Sequence, residues 1–103
     1  MDKKTILLDA NKFSTVESFY SAVENAFTKD LGWQIGRNLN AFNDVLRGGF
    51  GVFEYEEPIR LIWLHSDKSR KELSLAEPHA GKTFFEFVVD IIKGHDHIEL
   101  ILQ

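Results

Sequence analysis

The first part of the chain contains a short apolar run followed by a longer amphipathic segment. The β-favouring run at 5–8 predicts a buried strand. Apolar residues then recur three or four positions apart over 16–27, which is typical of one face of a helix. Ser14 and Glu17 have the spacing of a capping box. We therefore expect this helix to begin at Ser14 and to end near residues 29–32.

The middle of the chain predicts a shorter helix and a second strand. Asn38 is a favourable N-cap, the apolar residues after it lie on one helical face, and Gly48 supplies a left-handed stop. The apolar run at 58–64 predicts a strand whose proline is tolerated because it stands at the strand entrance. Ser66 and Asp67 favour the cap of a brief helix that continues to residue 73.

The last part of the chain repeats the order of a helix followed by a strand. Thr83 and Glu86 have capping-box spacing, Gly94 closes the helix, and the run at 98–102 predicts a strand. Strands separated by helices favour parallel pairing, and nearly continuous apolar runs are typical of strands covered on both faces. The pattern predicts an α/β fold with a small three-stranded parallel sheet packed with helices, and it leaves the strand order open.

The composition is that of a globular protein with an acidic balance. A chain of 103 residues, 44% of them hydrophobic, has room for one core, so we expect a single domain over residues 1–103. Twelve basic against sixteen acidic residues disfavour direct binding of nucleic acid and mildly favour a basic partner. The sequence has no cysteine and no apolar run of the roughly 20 residues that a bilayer requires. We expect a cytoplasmic protein without membrane contact.

The sequence lacks the common catalytic and cofactor motifs. It contains no nucleophile elbow, no phosphate-binding loop lysine and no paired-histidine zinc motif. The glycine-rich run at 48–51 favours a helix stop over a phosphate cradle, and His95 with His97 favours a solvated pair over a metal site. We therefore predict a protein that is not an enzyme and holds no metal or cofactor. An enzyme that uses His65 or His95 with the nearest aspartate is the less favoured alternative.

Two carboxylates stand where a helix disfavours them. Asp44 and Asp90 each lie in the last helical turn before a glycine, where an exposed acid costs about 0.3–1 kcal/mol against the helix dipole. A solvated polar face is the simplest interpretation, and a partner that rewards negative potential is the alternative. The segment at 33–38 precedes the short helix as a loop, a common place for recognition residues. Trp33 or Ile35 either closes the end of the core or contacts a partner.

Residues 36–46 resemble the core motif of the barstar family. The run GRNLNAFNDVL is similar to the family's G-x-N-L-D-A-L-x-D-x-L, and the order of helices and strands along the chain is the same. The family consists of intracellular protein inhibitors of bacterial ribonucleases of the barnase type. In its members a loop and the second helix enter the enzyme's active site, where carboxylates pair with the groups that hold RNA phosphate. The resemblance implies a barstar-like fold and an immunity-type inhibitor, monomeric when free.

The resemblance also implies which residues contact the partner. Asp44 matches the helix aspartate that occupies the phosphate pocket, and Asp90 lies where the family has a glutamate on its last helix. Asn40 replaces the family's first helix aspartate, and Asn43 replaces an aromatic residue. The predicted partner-binding residues are Trp33, Gln34, Ile35, Gly36, Asn38, Leu39, Asn40, Asn43, Asp44 and Asp90. The partner implied is a basic ribonuclease, and the alternative is a barstar-fold interaction or regulatory module without a nuclease target.

Overall fold

Three parallel strands form the central sheet of the protein. The computed structural model describes residues 3–28, 38–49, 52–74 and 81–103. The strands are β1 (Lys4–Asp9), β2 (Ile59–Leu64) and β3 (Ile98–Leu102). They lie in the order β1-β2-β3, and both neighbouring pairs are parallel. The predicted three-stranded parallel sheet is confirmed, and the central position of β2 settles the strand order.

Helices fill the connections between the strands. The described residues form α1 (Val16–Phe27), α2 (Leu39–Leu46), α3 (Ser66–Glu72) and α4 (Phe84–Lys93), with a 3-10 turn at Ala10–Lys12 that the sequence pattern did not predict. The α2 helix begins and ends as predicted. The side chain of Asn38 accepts a hydrogen bond from the backbone N–H of Ala41 at 2.8 Å. Gly48 follows the helix with a φ of +91°, a conformation that favours glycine.

The start of α1 differs from the prediction by one residue. Thr15, not Ser14, is the N-cap, and its capping box is formed with Ser18 rather than Glu17. The N–H of Ser18 donates to the Thr15 hydroxyl at 3.1 Å, and the Ser18 hydroxyl oxygen accepts from the N–H of Thr15 at 2.9 Å. A serine hydroxyl is short enough to close the box, so the glutamate is not required in that position. At the other end the helix stops at Phe27, earlier than the predicted 29–32.

The caps of the last two helices differ in kind. The expected cap of α3 by Ser66 or Asp67 is wrong, because the N-cap is His65, in a left-handed conformation and without a side-chain cap bond. The Ser66 hydroxyl instead donates to the carbonyl of Gln103 at 3.0 Å, which ties α3 to the end of β3. The predicted capping box of α4 is confirmed, since the N–H of Thr83 donates to the Glu86 carboxylate at 2.9 Å.

Only one face of the sheet is buried. Along β2, alternate residues from Ile59 to Trp63 are buried while those between them are partly exposed. On the opposite face Leu7, Ile62 and Ile101 lie in register across the three strands, and Leu7 is 56% exposed. The expectation that helices cover both faces is therefore wrong. The apolar runs look continuous because this outer face also carries aliphatic residues that are only half-buried.

An aromatic cluster in the core positions α2 on the rest of the molecule. The ring of Phe19 in α1 lies 5.5 Å from that of Phe42 in α2 and 5.8 Å from that of Trp63 in β2, centroid to centroid. All three side chains are buried. Aromatic pairs at these separations stabilise a fold by about 0.5–1.5 kcal/mol beyond the area they bury. The cluster holds the apolar face of α2 inward, and it thereby turns the polar face outward.

Candidate functional site

The outward face of α2 presents polar side chains to solvent. Phe42, Val45 and Leu46 are buried on the inner face of this eight-residue helix. Helical geometry places Asn40 and Asp44 on the opposite face, and both are exposed. The Asp44 side chain keeps 69% of its accessible surface. The helix therefore presents one carboxylate to solvent.

The Asp44 carboxylate is only loosely engaged within its own helix. In the described part of the chain it is paired with the Arg47 guanidinium, with Oδ1 and Nη1 separated by 3.8 Å. That distance is too long for a hydrogen bond, and an exposed pair of this kind contributes about 0–1 kcal/mol. If Asp44 exchanged its ion pair with Arg47 for one with a cation of another protein, the fold would therefore lose little stability.

A concave pocket of about 560 Å³ lies at the end of α2, where Asn43 and Arg47, on either side of Asp44 in the sequence, line it. It is formed where the end of α2, the turn before β2, the end of α4 and the loop before β3 meet at the amino-terminal ends of the strands. Its lining residues are Asn43, Arg47, Glu56, Asp90, Ile91, Gly94, His95, Asp96 and His97. Its three carboxylates outnumber the Arg47 guanidinium and the Lys82 ammonium that pairs with Asp90, so this concave surface has a negative balance before any charge on the imidazoles is counted.

Two histidines connect this pocket to α2. The Nε2 of His95 lies 2.7 Å from Oδ1 of Asn43, and the Nε2–H of His97 donates to the carbonyl of Leu46 at 2.8 Å. The two rings meet edge to face with their centroids 5.5 Å apart. The interpretation of His95 and His97 as a solvated pair is therefore wrong, because both are half-buried and hydrogen-bonded to α2.

The surroundings of His95 favour its neutral form. Burial lowers the pKa of the His95 imidazole, and the neighbouring His97 and Arg47 lower that pKa further, against an opposing effect of Glu56. At neutral pH the ring is therefore uncharged. In the parts of the chain that the structure describes, no group of three or more histidine, cysteine or acidic side chains is arranged to hold a metal ion.

Apart from Asn40 and Asp44 on the outward face of α2, the predicted contact residues that the structure describes lie in two regions. Asn43 and Asp90 line the pocket, and Asp90 is ion-paired with Lys82. Asn38 and Leu39 lie at the opposite end of α2, where Leu39 also packs against the core. The predicted contacts Trp33, Gln34, Ile35 and Gly36 lie outside the described residues. The predicted contact residues did not include Glu56, His95 or His97, since all three come close to α2 only through the tertiary fold.

Comparison with known proteins identifies the family. The family model described as Barstar (barnase inhibitor) matches residues 3–99, which include the whole of α2 and every residue that lines the pocket. No curated protein matches the chain. None of the helices in the described ranges is long and apolar enough to cross a membrane. A match over nearly the whole sequence, together with the three-stranded parallel sheet and its helices, shows that the chain belongs to the barstar family.

Proposed function

We propose that this protein inhibits a basic enzyme, a ribonuclease of the barnase type, by docking residues 33–47 on its active site. Family membership supports this class of target. The observation that carries the proposal is the exposure of Asp44, 69% of whose side-chain surface faces solvent at the end of a helix anchored by its apolar face. An acid placed there against the helix dipole serves recognition better than it serves stability.

The inhibition is steric and electrostatic. Enzymes that cleave RNA hold its phosphates with arginine, lysine and histidine, and a carboxylate offers such groups charge-assisted hydrogen bonds in place of a phosphate. Asp44 takes this role at the centre of the contact. Asn40, also exposed on the same helix, offers an amide that both donates and accepts hydrogen bonds. While the inhibitor is bound, RNA has no access to the cations.

The acidic pocket at the end of α2 extends the same potential. Glu56, Asp90 and Asp96 come from three separate segments and line one concave surface. Complementary charge of this kind accelerates the encounter of two proteins more than it strengthens the final complex. We therefore assign Asp44 to the binding energy and the pocket carboxylates chiefly to the rate of association.

Titration calorimetry against a barnase-type ribonuclease tests the proposal. We expect stoichiometric binding by the wild-type protein and loss of RNA cleavage on its addition. Asp44→Ala should weaken binding by at least about 2 kcal/mol, or about 30-fold, as expected for a desolvated anchor. The matched control is Asp67→Ala, which removes an exposed acid from α3 at the carboxyl-terminal end of β2, far from the pocket.

The outcomes separate the site from the function. Equal affinity of wild type and Asp44→Ala would exclude residue 44 as the anchor. Failure of the wild-type protein to inhibit any ribonuclease of this type would overturn the proposed function and favour an interaction module without a nuclease target. Circular dichroism of each variant checks that the fold is intact.

A further inference from the structure

His95 and His97 contact α2 from a distant part of the sequence. The loop that carries them precedes β3, yet its two rings reach Asn43 and the Leu46 carbonyl over 2.7 and 2.8 Å. These contacts fall on the last turns of α2, next to Asp44 and Arg47. The helix that presents the proposed anchor is therefore braced by two imidazole rings, and histidine is the side chain that ordinarily changes charge near physiological pH.

We propose that His95 is a positioning residue for the docking helix and that its protonation weakens the binding of a basic partner. The inference rests on the proposed function, because it concerns the regulation of the same surface. It is carried by the Asn43–His95 contact and by the charges that surround the ring.

In its neutral form His95 supports α2 without adding charge. With Nε2–H donating to Oδ1 of Asn43, the Nδ1 atom is left to take up a proton. Protonation therefore keeps the hydrogen bond and changes the charge. The Nε2–H of His97 donates to the Leu46 carbonyl and adds a second hydrogen bond between this loop and α2. The consequence of acidification is thus electrostatic and does not require α2 to detach.

The charged groups around His95 decide the direction of the effect. Arg47 faces the ring from the end of α2, and Glu56 faces it from the turn before β2. Asp90 lies on α4, while Asp96 and His97 belong to the same loop as His95. Lys82 already pairs with Asp90, and a proton taken up by His95 cancels a further part of the negative balance of the three carboxylates. A cationic partner is therefore attracted less strongly at acidic pH.

Linkage fixes the sign in the free protein as well. Burial, with His97 and Arg47, lowers the pKa of His95 in the folded protein, so the unfolded chain takes up its proton first. The contribution of His95 to stability is complete above its ordinary pKa of about 6.5 and declines as the pH falls through the lowered value. A bound cationic partner lowers the pKa further, so binding near this pH releases protons.

The experiment compares wild type with His95→Gln at about pH 5 and about pH 8, which bracket the ordinary histidine pKa. Glutamine keeps a donor for Asn43 and does not titrate. With one barnase-type ribonuclease in all titrations, the titration of the enzyme itself cancels in the comparison. We expect wild type to lose about three- to tenfold more affinity on acidification than His95→Gln, given charges several ångströms apart near a surface.

The control is His65→Asn, which removes an exposed histidine at the start of α3, where asparagine tolerates the left-handed backbone. It should behave as wild type. Parallel loss of affinity in wild type and His95→Gln would overturn the proposal. In the free protein, NMR should show His95 titrating below its usual pKa, with the Asn43 side-chain amide shifting in the same pH range.

The two proposals fail in different ways. Absence of binding at both pH values overturns the proposed function, whereas the free-protein titration still decides whether ionisation of His95 reaches α2. An Asn43 amide that does not respond to the titration of His95 overturns the positioning role, whatever the ribonuclease does.

Discussion

The backbone N–H of Glu56 donates to the carbonyl of Arg47 over 2.6 Å. This bond ties the turn before β2 to Arg47, the C-cap residue of α2. A second hydrogen bond, from the N–H of Gly49 to the carbonyl of Phe53 at 2.8 Å, lies in the same connection between α2 and β2. Glu56 adopts a left-handed φ of 56°, unusual for a residue with a side chain. The two bonds fix where α2 ends and therefore where Asp44 and Arg47 stand.

Gly48 is required at the start of the connection between α2 and β2. A Cβ at Gly48 would stand 2.5 Å from the carbonyl oxygen of Glu54 and 2.6 Å from the Phe53 ring, and φ is +91°. Gly48→Ala should therefore lower the free energy of unfolding by about 2–4 kcal/mol, since strain and overpacking add. Gly49→Ala is the matched control, because its φ of +88° is similar but nothing lies within 4 Å. It should cost only about 1–2 kcal/mol.

Urea denaturation of the two variants measures this difference. Equal loss of stability in Gly48→Ala and Gly49→Ala would show that backbone conformation alone matters and that the close approach of Glu54 and Phe53 does not. A larger loss in Gly48→Ala assigns the remainder to that approach.

Local patterns predicted the helices well because their signals lie within one turn. Asn38 caps α2 and Thr83 caps α4 as their spacing indicates. The prediction of the N-cap was wrong at α1. The pair Thr15 and Ser18 has the same capping-box spacing as Ser14 and Glu17, and the local pattern does not distinguish the two pairs. Sheet coverage failed for another reason. Aliphatic residues such as Leu7 on an open face follow the same pattern as buried ones, so no local signal separates the two cases.

The N-cap of α1 gives a direct test of that competition. Thr15→Ala removes the hydroxyl that accepts from the N–H of Ser18 at 3.1 Å, and it should destabilise the protein by about 1 kcal/mol. Ser14→Ala, one residue earlier, should be nearly neutral because it leaves that bond intact. Thermal unfolding of both variants checks this. A larger loss of stability in Ser14→Ala than in Thr15→Ala would identify Ser14 as the N-cap.

The buried Trp63 depends on a serine of α3. Its indole Nε1–H donates to the hydroxyl of Ser69 at 3.0 Å, and both side chains are almost completely buried. Ser69→Ala leaves the indole donor without this partner, at a cost of about 1–3 kcal/mol. Chemical denaturation measures the loss of stability. The control is the same Ser69→Ala substitution made in a Trp63→Phe variant. The serine substitution should cost less once the indole is gone; equal costs in both backgrounds would exclude the bond as the cause.

The candidate site was predictable from the sequence only where it lies on one helix. The helical phase of α2 places Asp44 outward and Phe42 inward, and the structure agrees. His95 approaches Asn43 across 52 positions of the sequence, a contact set by the sheet and not by any local pattern. Glu56 reaches the pocket in the same way, through the turn before β2. Sequence spacing indicates which residues are neighbours within one helix or strand, and it carries no information about contacts between residues far apart in the sequence.

Asp90 should affect the rate of docking more than the stability of the fold. It lines the pocket and pairs with Lys82, and both side chains are about half-exposed. Ion pairs between exposed side chains contribute little to stability, so Asp90→Asn should unfold at nearly the wild-type denaturant concentration. Because a pocket carboxylate is lost, association with a barnase-type ribonuclease should slow severalfold at low salt. Stopped-flow fluorescence measures this rate.

Salt separates this electrostatic role from a structural one. At about 1 M salt the screening length is about 3 Å, so the association rates of wild type and Asp90→Asn should converge. Glu72→Gln is the matched control, because it removes another partly exposed carboxylate that pairs with Lys68 on α3. The α3 helix follows the carboxyl-terminal end of β2, away from the pocket. Loss of the Glu72 carboxylate should therefore leave the association rate nearly unchanged. A difference between Asp90→Asn and wild type that persists at high salt would exclude steering as the role of Asp90.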